Sequence, residues 1–535
     1  MKTPLDRFFE HYYKRRPVNA TFTGVHTLDD QLPDWSEAGL STIDAELGAL
    51  AGELEKFDGS STADRIDAEL AAGFCEIQRS ENGLAHGPRG NPALWSGEAI
   101  FSVISLMIRD FAPLETRARS AEARMISIPD FLSEARHVIG ERPLPSPWVK
   151  RALRDCTGAD LLFSNGIERW LGDPSPSIRQ AATRARDAFR EFVEWIGALP
   201  VASAETMACG TKHYDLLLRR GHQCSRSRSE LLTDAKRCLD EEVARLDEMC
   251  REARRTFAEA QRELADDQPT SDEYLAEFGK QWIACRKAIV DADVLSWPDW
   301  PIRYDEIPPF TRDAAPHLYY LFYRSPAPFD SYAEYTYVVS RGWSRSTIRL
   351  NHVLHHGGVG HHVQNWFAYH RAAARTGRIA AVDCANRIGM FCGGSMAEGW
   401  ACYATGLMGE IGGLSALELI SEQHSRIRQL ARAVIDLSFH AGELSFDDAV
   451  ALWVEKTGMS ADIAQAEVVK CSMFPATPVM YWLGTQGILD LRREMRAREG
   501  SGFSLKRFHD SLLSYGSIPV PMIARLMRGD DALSS

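Results

Sequence analysis

The sequence contains no run of about eighteen apolar residues, which is the length that a helix needs to cross a membrane. Its opening Met-Lys-Thr-Pro-Leu-Asp-Arg-Phe-Phe also lacks the apolar core of a secretory signal peptide. We therefore expect neither a membrane span nor a membrane partner, and we predict a cytoplasmic location.

Paired cysteines and an excess of basic charge are also missing. The eleven cysteines include no C-x-x-C pair, which argues against a disulfide framework or a zinc ribbon. We expect most of them to be small buried side chains. The 61 Lys and Arg residues are outnumbered by 73 Asp and Glu, giving a formal net charge of -12. A nucleic-acid partner is not expected, because its phosphates would require a basic surface.

Helical periodicity dominates the chain. With 535 residues, 45% hydrophobic and 25% charged, the composition is that of a globular protein too long for one simple core. The clearest helix begins at a capping box, Ser227 to Glu230, and its apolar residues recur at three- and four-residue steps as far as Phe257. We predict a mainly α fold, with similar amphipathic helices at 36–57, 62–80, 176–198, 202–222 and 270–290.

A segment rich in proline and aromatic residues interrupts this pattern. Seven prolines fall between residues 295 and 330, a density that breaks helices. Within and after it, residues 317–323 and 334–339 are rich in aromatic and β-branched side chains, which predicts a small β-hairpin or sheet near 316–340. We therefore divide the chain into three regions, which could form one intertwined domain: a helical 1–295, the Pro/aromatic-rich 296–345, and a helical 346–535.

The most unusual feature is a run of histidines in the third region. Five of the sixteen histidines fall within eleven residues, namely His352, His355, His356, His361 and His362. Imidazole is the commonest metal ligand in proteins. So many polar rings packed around three glycines would leave ring nitrogens without partners unless they shared a ligand. The run therefore predicts a metal site.

Helical spacing allows two pairings within this run. Ligands on one straight helix must lie three or four residues apart, as His352 and His356 do. His355 and His361 would face opposite sides of a straight helix, so pairing them requires a bulge, which the glycines at 357, 358 and 360 would make inexpensive. His355 and His362 share a face but lie roughly 10 Å apart along the axis. Both pairings remain open on spacing alone.

A carboxylate ligand is offered by Glu398, in the stretch Met396-Ala-Glu-Gly-Trp-Ala-Cys-Tyr403. An acid buried among small and aromatic residues needs a partner, and a metal ion is one. Exposure of Glu398 on a helix surface is the alternative.

The stretch from His355 to Gln364, His-His-Gly-Gly-Val-Gly-His-His-Val-Gln, resembles the His-Glu-x-x-Pro-Gly-His-His-Leu-Gln hallmark of the domain-of-unknown-function 885 family, a large bacterial family. That family is related in its active-site architecture to gluzincin metallopeptidases. Further segments similar to the family lie at 17–36, 398–403, 475–484 and 508–521, in the same order along the chain as in the family. The resemblance therefore spans essentially the whole chain.

The resemblance implies a gluzincin-like helical architecture with a central cleft and a metal held by His355, His361 and Glu398. It favours this set over the pairing of His352 with His356. It also implies that His362 is a further ligand or a hydrogen-bonding neighbour of one.

Two further catalytic assignments follow from the resemblance. Tyr481 matches a position suited to stabilising an oxyanion. Asp436 and His440, one helical turn apart, could form an orienting pair that brings His440 into the catalytic machinery. For Asp436 and His440, the alternative is an ordinary hydrogen bond on one helix face.

This chain departs from the family pattern at the position that matters most for hydrolysis. His356 stands where the family has the glutamate that moves protons in zinc hydrolysis. Val359 and Lys470 replace the family's proline and arginine. Loss of a general base typically reduces the rate on the order of 10²- to 10⁴-fold, so peptide hydrolysis by the usual route is not expected. His356 could instead act as a base itself or add a nitrogen ligand.

These observations predict a metalloenzyme that keeps a metallopeptidase-like scaffold but performs non-peptidase chemistry on a small carbonyl- or carboxylate-containing substrate. The expected cofactor is one divalent transition metal, Zn or Fe, with Co, Ni, Mn and Cu left open. The first alternative is a hydrolase of peptides, amides or esters with His356 as base, acting on a short peptide-like substrate. The second is a non-catalytic binding or scaffold protein. The oligomeric state does not follow from the sequence.

Overall fold

The computed structural model describes residues 2–318, 323–324, 328–329, 336–379 and 394–529, and they form a mainly α-helical protein, as predicted. The helices of the first half are α1 Pro4–Arg15, α2 Pro17–Thr23, α3 Glu37–Leu54, α4 Thr62–Asn82, α5 Pro92–Met107, α6 Leu114–Ile139, α7 Ser146–Leu161, α8 Ile167–Leu171, α9 Pro176–Ala198, α10 Thr211–Leu216, α11 Arg228–Glu252, α12 Phe257–Asp266 and α13 Tyr274–Asp291. Those of the second half are α14 Arg345–Thr347, α15 His361–Arg371, α16 Arg375–Ile379, α17 Gly394–Glu410, α18 Ala416–Phe439, α19 Phe446–Thr457, α20 Ala461–Met473, α21 Met480–Glu499, α22 Leu505–Ser514 and α23 Val520–Arg528. Stretches of π-helix lie at Leu162–Gly166, Leu217–Gly221 and Ile348–Gly357, and 3-10 turns lie at His26–Leu28, Ala204–Met207, Ala315–His317 and Gly500–Gly502.

The capping box at Ser227 is confirmed, but the long helix predicted from it is two helices. The Ser227 N–H donates to Glu230 Oε2 at 2.8 Å, and the Glu230 N–H donates to Ser227 Oγ at 3.3 Å. Helix α11 ends at Glu252, and Arg254 adopts a left-handed conformation with a φ of 52°. Thr256 then caps α12 with a capping box of its own. The apolar pattern continues across this break because Phe257 and Ala260 of α12 belong to the same apolar cluster as Leu246 of α11.

The other helix predictions are largely confirmed. The stretches predicted at 36–57, 62–80, 176–198 and 270–290 correspond to α3, α4, α9 and α13. The single helix predicted at 202–222 is wrong. That stretch contains a 3-10 turn, then Gly210 with a φ of 80°, then α10 and a π-helical turn that ends at Gly221.

Within the described residues, two small sheets accompany the helices. Strand β1 (Leu144–Pro145) pairs in parallel with β2 (Val201–Ala202). In the other sheet, β5 (Thr336–Val339) pairs antiparallel with β4 (Tyr323–Arg324) and parallel with β3 (Arg303–Glu306), which gives the order β3-β5-β4. The predicted sheet near 316–340 is therefore present, with a third strand that the proline-rich sequence did not suggest. Residues 319–322, 325–327 and 330–335 of that stretch lie outside the described residues.

The buried core crosses the predicted regional boundaries. One apolar cluster joins Phe8 and Leu70 of the N-terminal helices to Trp400 and Leu512 near the other end of the chain. The C-terminal helices that carry the histidines are thus held against α1 and α4. The division into three regions stays a prediction.

The remaining expectations from composition concern membranes and cysteines. In the part of the chain that the structure describes, no helix is both long and apolar enough to span a bilayer. Eight of the nine cysteines in that part are buried, and Cys238 is half-buried. Cys384 and Cys392 lie outside the described residues.

Candidate metal centre

An interruption of the helix brings His355 and His361 together. The chain is π-helical over Ile348–Gly357, leaves the helix at Gly358, and begins α15 at His361. The two imidazole rings consequently lie 4.9 Å apart between centroids and perpendicular to each other. The distortion expected between them is therefore a full interruption of the helix.

The close turn depends on glycine. A Cβ atom on Gly360 would lie 1.9 Å from the carbonyl oxygen of His355, and one on Gly358 would lie 2.8 Å from that of Val353. The Gly360 N–H donates to Leu354 O at 2.8 Å. Any side chain at position 360 would push His355 and His361 apart.

Helix α17 supplies the carboxylate. Glu398 Oε2 lies 3.3 Å from His355 Nε2 and 3.6 Å from His361 Nε2. Helix α17 is seated directly on α21, since a Cβ on Gly399 would lie 2.5 Å from the carbonyl carbon of Gly484. The Trp400 indole N–H, one residue further along, donates to Val359 O at 3.0 Å and so ties α17 to the glycine turn.

His356 completes what we call the histidine cluster, which consists of His355, His356, His361 and Glu398. The three imidazoles each offer one nitrogen, and these atoms lie within 4.8 Å of one another. Those distances place them around one shared volume beside the carboxylate.

Hydrogen bonds on the far side of two rings fix which nitrogen faces that volume. His356 Nδ1 lies 2.7 Å from Asn351 O, a carbonyl that can only accept, so Nδ1 carries the proton. His361 Nδ1 lies 3.3 Å from Gln364 Oε1, and the Gln364 amide donates in turn to Ser517 Oγ. Bonds of this kind set the tautomer and the ring orientation of metal-binding histidines. Both rings are thus held with Nε2 as the nitrogen that can bind a ligand.

The protonation states fit the same arrangement. Burial alone would raise the pKa of the Glu398 carboxyl, but the His361 and His355 imidazoles hold that pKa well below its ordinary value. Burial, aided by the neighbouring imidazoles, lowers the pKa of His356 well below its ordinary value. The cluster is therefore built to present a carboxylate and a neutral imidazole at neutral pH.

This donor set fits a transition-metal ion. Such ions bind neutral imidazole nitrogen and carboxylate oxygen at about 2 Å, usually through three or four protein ligands. His355, His361 and Glu398 would hold the ion, and His356 is placed to add a fourth donor.

Comparison with known proteins identifies the family. Residues 17–527 match the sequence profile of DUF885, described as a bacterial protein of unknown function. The chain belongs to the DUF885 family. No curated protein matches it.

Two solved structures share the fold of this DUF885 protein. One is a candidate lipoprotein of unknown function from Shewanella oneidensis, with a TM-score of 0.77 and 21% identity over 98% of this chain and 99% of that one. The other is a candidate lipoprotein from Colwellia psychrerythraea, with a TM-score of 0.75 and 16% identity over 99% of each chain. At these identities the likeness shows a common fold.

Two other histidines of the run have different surroundings. His362 is fully buried, and its Nε2 N–H donates to Trp300 O at 2.8 Å. The His352 ring stacks on Trp343 with centroids 3.5 Å apart, and its centroid is 6.3 Å from that of His356. The pairing that this DUF885 protein assembles around Glu398 is the one between His355 and His361.

His440, expected in the catalytic machinery, lies in a second buried group that we call the Asp436 cluster: His86, Tyr214, Asp436 and His440. His440 Nε2 lies 3.0 Å from Cys471 O, and its Nδ1 accepts the Cys209 N–H at 3.3 Å. Burial, together with neighbouring His86, lowers the pKa of His440 to about 3. This position favours a structural role.

Asp436, the expected partner of His440, is likewise engaged in hydrogen bonds within the protein. Asp436 is fully buried and accepts hydrogen bonds from the Tyr214 hydroxyl at 2.8 Å, the Ala476 N–H at 3.2 Å and the Val479 N–H at 3.1 Å. Its Oδ1 is 3.5 Å from His440 Nε2. Asp436 therefore anchors α18 to the segment that leads into α21.

Tyr481 lies in the first turn of α21, three residues before the contact between Gly484 and α17. The Arg432 guanidinium lies 5.4 Å from the centroid of its ring. Its expected role in stabilising an oxyanion stays a prediction.

A cavity of about 380 Å³ opens beside the histidine cluster. The π-helix, α17 and α18 all contribute to its wall, and its polar lining includes Asn351, His355, Cys402, Thr405, Glu422 and Arg428. His355 thus connects the cluster to a space of the size that holds a small molecule.

Three contributors to this site were not identified from the sequence. Gln364 could have been found, because it follows His361 by three residues and so shares its helix face. Asn351 acts through its backbone carbonyl, which carries no residue-specific signal. Arg428 lies on an ordinary amphipathic helix, and nothing in its sequence surroundings distinguishes it.

Proposed function

We propose that this protein is a metal-dependent enzyme that acts on a small substrate bearing a carbonyl or carboxylate group, by chemistry other than peptide hydrolysis. His355, His361 and Glu398 would hold the metal. The observation that carries the proposal is the position of Glu398 Oε2, within 3.3 and 3.6 Å of two imidazole Nε2 atoms. A buried carboxylate beside two nitrogen donors supports this assignment, because structural and catalytic metal sites use the same donor types.

The position of His356 supports chemistry other than hydrolysis. The resemblance to the family hallmark assigns this position to a glutamate base, whereas here it carries an imidazole whose Nδ1 is bonded to Asn351 O. The ring can therefore add a nitrogen to the metal. A site with three nitrogens and one carboxylate suits Fe, Co, Ni or Cu as well as Zn.

The residues around the cluster would keep the metal ligands in place, and the adjoining cavity would bind the substrate. When bound, the metal would polarise a substrate oxygen as a Lewis acid. Asn351 and Gln364 hold two of the imidazoles in one orientation, and Trp400 fixes the glycine turn between them. The adjoining cavity would seat the rest of the substrate beside His355.

A hydrolase of peptides, amides or esters is the second candidate. It would use His356 Nε2 to accept a proton, and it is favoured by the same bond from Nδ1 to Asn351 O, which leaves Nε2 with its lone pair. The two candidates differ in whether His356 binds the metal.

Cobalt substitution separates them. We expect the visible spectrum of Co²⁺-loaded protein to change in His356→Gln, because a nitrogen ligand is replaced. The control is His370→Ala, an exposed histidine on the same helix as His361, whose spectrum should match the wild type. An unchanged spectrum in His356→Gln would favour the hydrolase.

Activity provides the second test. Protein loaded in turn with Zn²⁺, Fe²⁺, Mn²⁺ and Co²⁺ is assayed against a panel of small oxo- and hydroxy-carboxylates and against a library of peptides and esters. We expect turnover in the first panel that is lost in Glu398→Ala. Turnover confined to the peptides and esters would reject the first candidate.

The cytoplasmic location is a separate proposal. The two structural relatives are described as candidate lipoproteins, which is a statement about those proteins. Fractionation of cells that express the chain would decide whether it shares that character.

A further inference from the structure

The cavity beside the histidine cluster is lined by Arg428, which forms no salt bridge with the described residues. We propose that Arg428 is a substrate-binding residue that holds a carboxylate group in this cavity. The claim that the bound molecule is a substrate rests on the proposed function, whereas binding of the anion can be measured without turnover.

Arg428 and His355 line the same space. The cavity of about 380 Å³ receives Arg428 from α18 and His355 from the π-helix. This volume is near the lower end of the range of about 300–1,000 Å³ typical of small-molecule pockets. A molecule that filled it could contact both residues.

The other charged side chains in this part of α18 are paired. Arg426 Nε donates to Glu422 Oε1 at 2.8 Å. Arg432 donates through Nε and Nη2 to the two carboxylate oxygens of Glu467, at 2.8 and 2.9 Å. Each of these arginines therefore has its own carboxylate.

Arg428 lacks such a partner within the described parts of the chain. Its Nη2 donates to Ser425 Oγ at 3.3 Å, and its buried Nε has no acceptor among the described residues. Burial lowers the pKa of Arg428 to about 10, so the guanidinium still carries its charge at neutral pH. A half-buried charge without a counter-ion is unfavourable, and a guanidinium matches a carboxylate through two parallel hydrogen bonds.

The rest of the wall indicates what the carboxylate would be attached to. Leu264, Ala265, Leu350 and Met459 contribute apolar surface to the same cavity. A carboxylate with a short apolar body would satisfy both parts of the lining. Inorganic phosphate shares the charge but lacks the apolar body, so it serves as a test of the ligand class.

Calorimetric titration of the full-length, metal-loaded protein tests this inference. The ligands are straight-chain carboxylates from acetate to octanoate and benzoate, the corresponding neutral amides, and inorganic phosphate. We expect saturable binding of at least one carboxylate and no binding of its amide. In Arg428→Gln the Kd should rise by at least about 30-fold, because a charged hydrogen-bonding partner of the carboxylate is removed.

Two further variants make the result specific. Arg428→Lys keeps the charge but loses the paired donors, so its Kd should fall between those of the wild type and Arg428→Gln. Arg237→Gln removes an exposed arginine on α11 that is bonded to Glu241, and should bind carboxylates as the wild type does. Arg428→Gln is expected to fold, because no carboxylate loses its partner, and its thermal midpoint is measured alongside.

Three outcomes would overturn the inference: no saturable carboxylate binding by the wild type, equal binding by folded Arg428→Gln, or binding of phosphate but of no carboxylate. The titrations are repeated on His361→Ala, which removes a proposed metal ligand. Carboxylate binding that persists there would uphold the Arg428 site even if no metal is found. A metal-loaded protein that binds no carboxylate would overturn the Arg428 site and leave the metal proposal intact.

Discussion

Two buried groups of histidines in this protein differ in what their ring nitrogens contact. In the histidine cluster, His356 and His361 each direct Nδ1 to a protein oxygen, and the Glu398 carboxylate lies between Nε2 atoms. In the Asp436 cluster, His440 has main-chain partners at both nitrogens. Only the first arrangement keeps donors pointed at a shared volume.

This difference shows that the number of histidines does not by itself mark a metal site. Asp436 already accepts three hydrogen bonds, so its cluster is complete as a structural anchor. Glu398 Oε2 instead lies within 3.6 Å of the Nε2 atoms of His355 and His361, and these are atoms that a metal could bind. The comparison predicts that the two clusters respond differently to backbone changes, to pH and to loss of a supporting hydrogen bond.

The largest expected effect is that of Gly360→Ala. The new Cβ would lie 1.9 Å from His355 O, a backbone atom that cannot move without opening the turn. We expect a loss of about 3 kcal/mol or more in the free energy of unfolding, measured by urea denaturation. The Asp436 cluster should be unaffected, because it shares no element with the turn.

Gly279→Ala in α13 is the matched control for this change. A Cβ there meets nothing within 4 Å, so helix propensity should raise the stability by about 0.5–1 kcal/mol. Equal, small effects of the two substitutions would show that the turn does not depend on glycine at position 360.

The second expected effect is a dependence of stability on acid pH that originates in the Asp436 cluster. Burial, and to a lesser extent the neighbouring His213, lowers the pKa of His86 from 6.5 to about 4. Between those values the unfolded chain binds a proton that the folded chain does not, so stability falls as pH falls from 6.5 to 4. Linkage sets the loss from this one group at about 3 kcal/mol.

Urea denaturation of His86→Gln across this pH range checks the effect. Its stability should fall less steeply with decreasing pH than that of the wild type, whatever its stability at pH 7. Replacement of the exposed His137 by Gln should leave the wild-type slope. Identical slopes for wild type and His86→Gln would contradict the assignment.

The smallest expected effect concerns the hydrogen bond that orients His361. Gln364→Met keeps the length of the side chain but removes the oxygen that accepts from His361 Nδ1. Loss of such a supporting bond typically weakens metal binding 10- to 100-fold. Competition with a chromophoric chelator measures the change, and an unaltered metal affinity would show that Gln364 does not support the ligand.

Much of the helical fold was predictable from capping and periodicity. Ser227 and Glu230 mark the start of α11, and Ser36 and Ser61 likewise cap α3 and α4. The failures have a backbone origin. Arg254 turns the chain within an unbroken apolar pattern, and the π-helix at Ile348–Gly357 has a sequence that is equally consistent with an α-helix.

The side chains of the candidate site were predictable, since the structure brings His355, His361 and Glu398 together as the family resemblance implied. The six-residue spacing of His355 and His361, with glycines between them, required a backbone distortion, and the structure contains one. Its supporting contacts were not predictable, because they join distant parts of the chain. Gln364 meets Ser517, and Arg428 meets His355 only through the shared cavity.

Elemental analysis of protein purified without chelators tests the central claim most directly. We expect one equivalent of a transition metal in the wild type and in His370→Ala, and its loss in both His361→Ala and Glu398→Ala. Wild-type protein that binds no metal even after incubation with Zn²⁺, Fe²⁺ and Co²⁺, or metal that both ligand variants retain, would contradict the account.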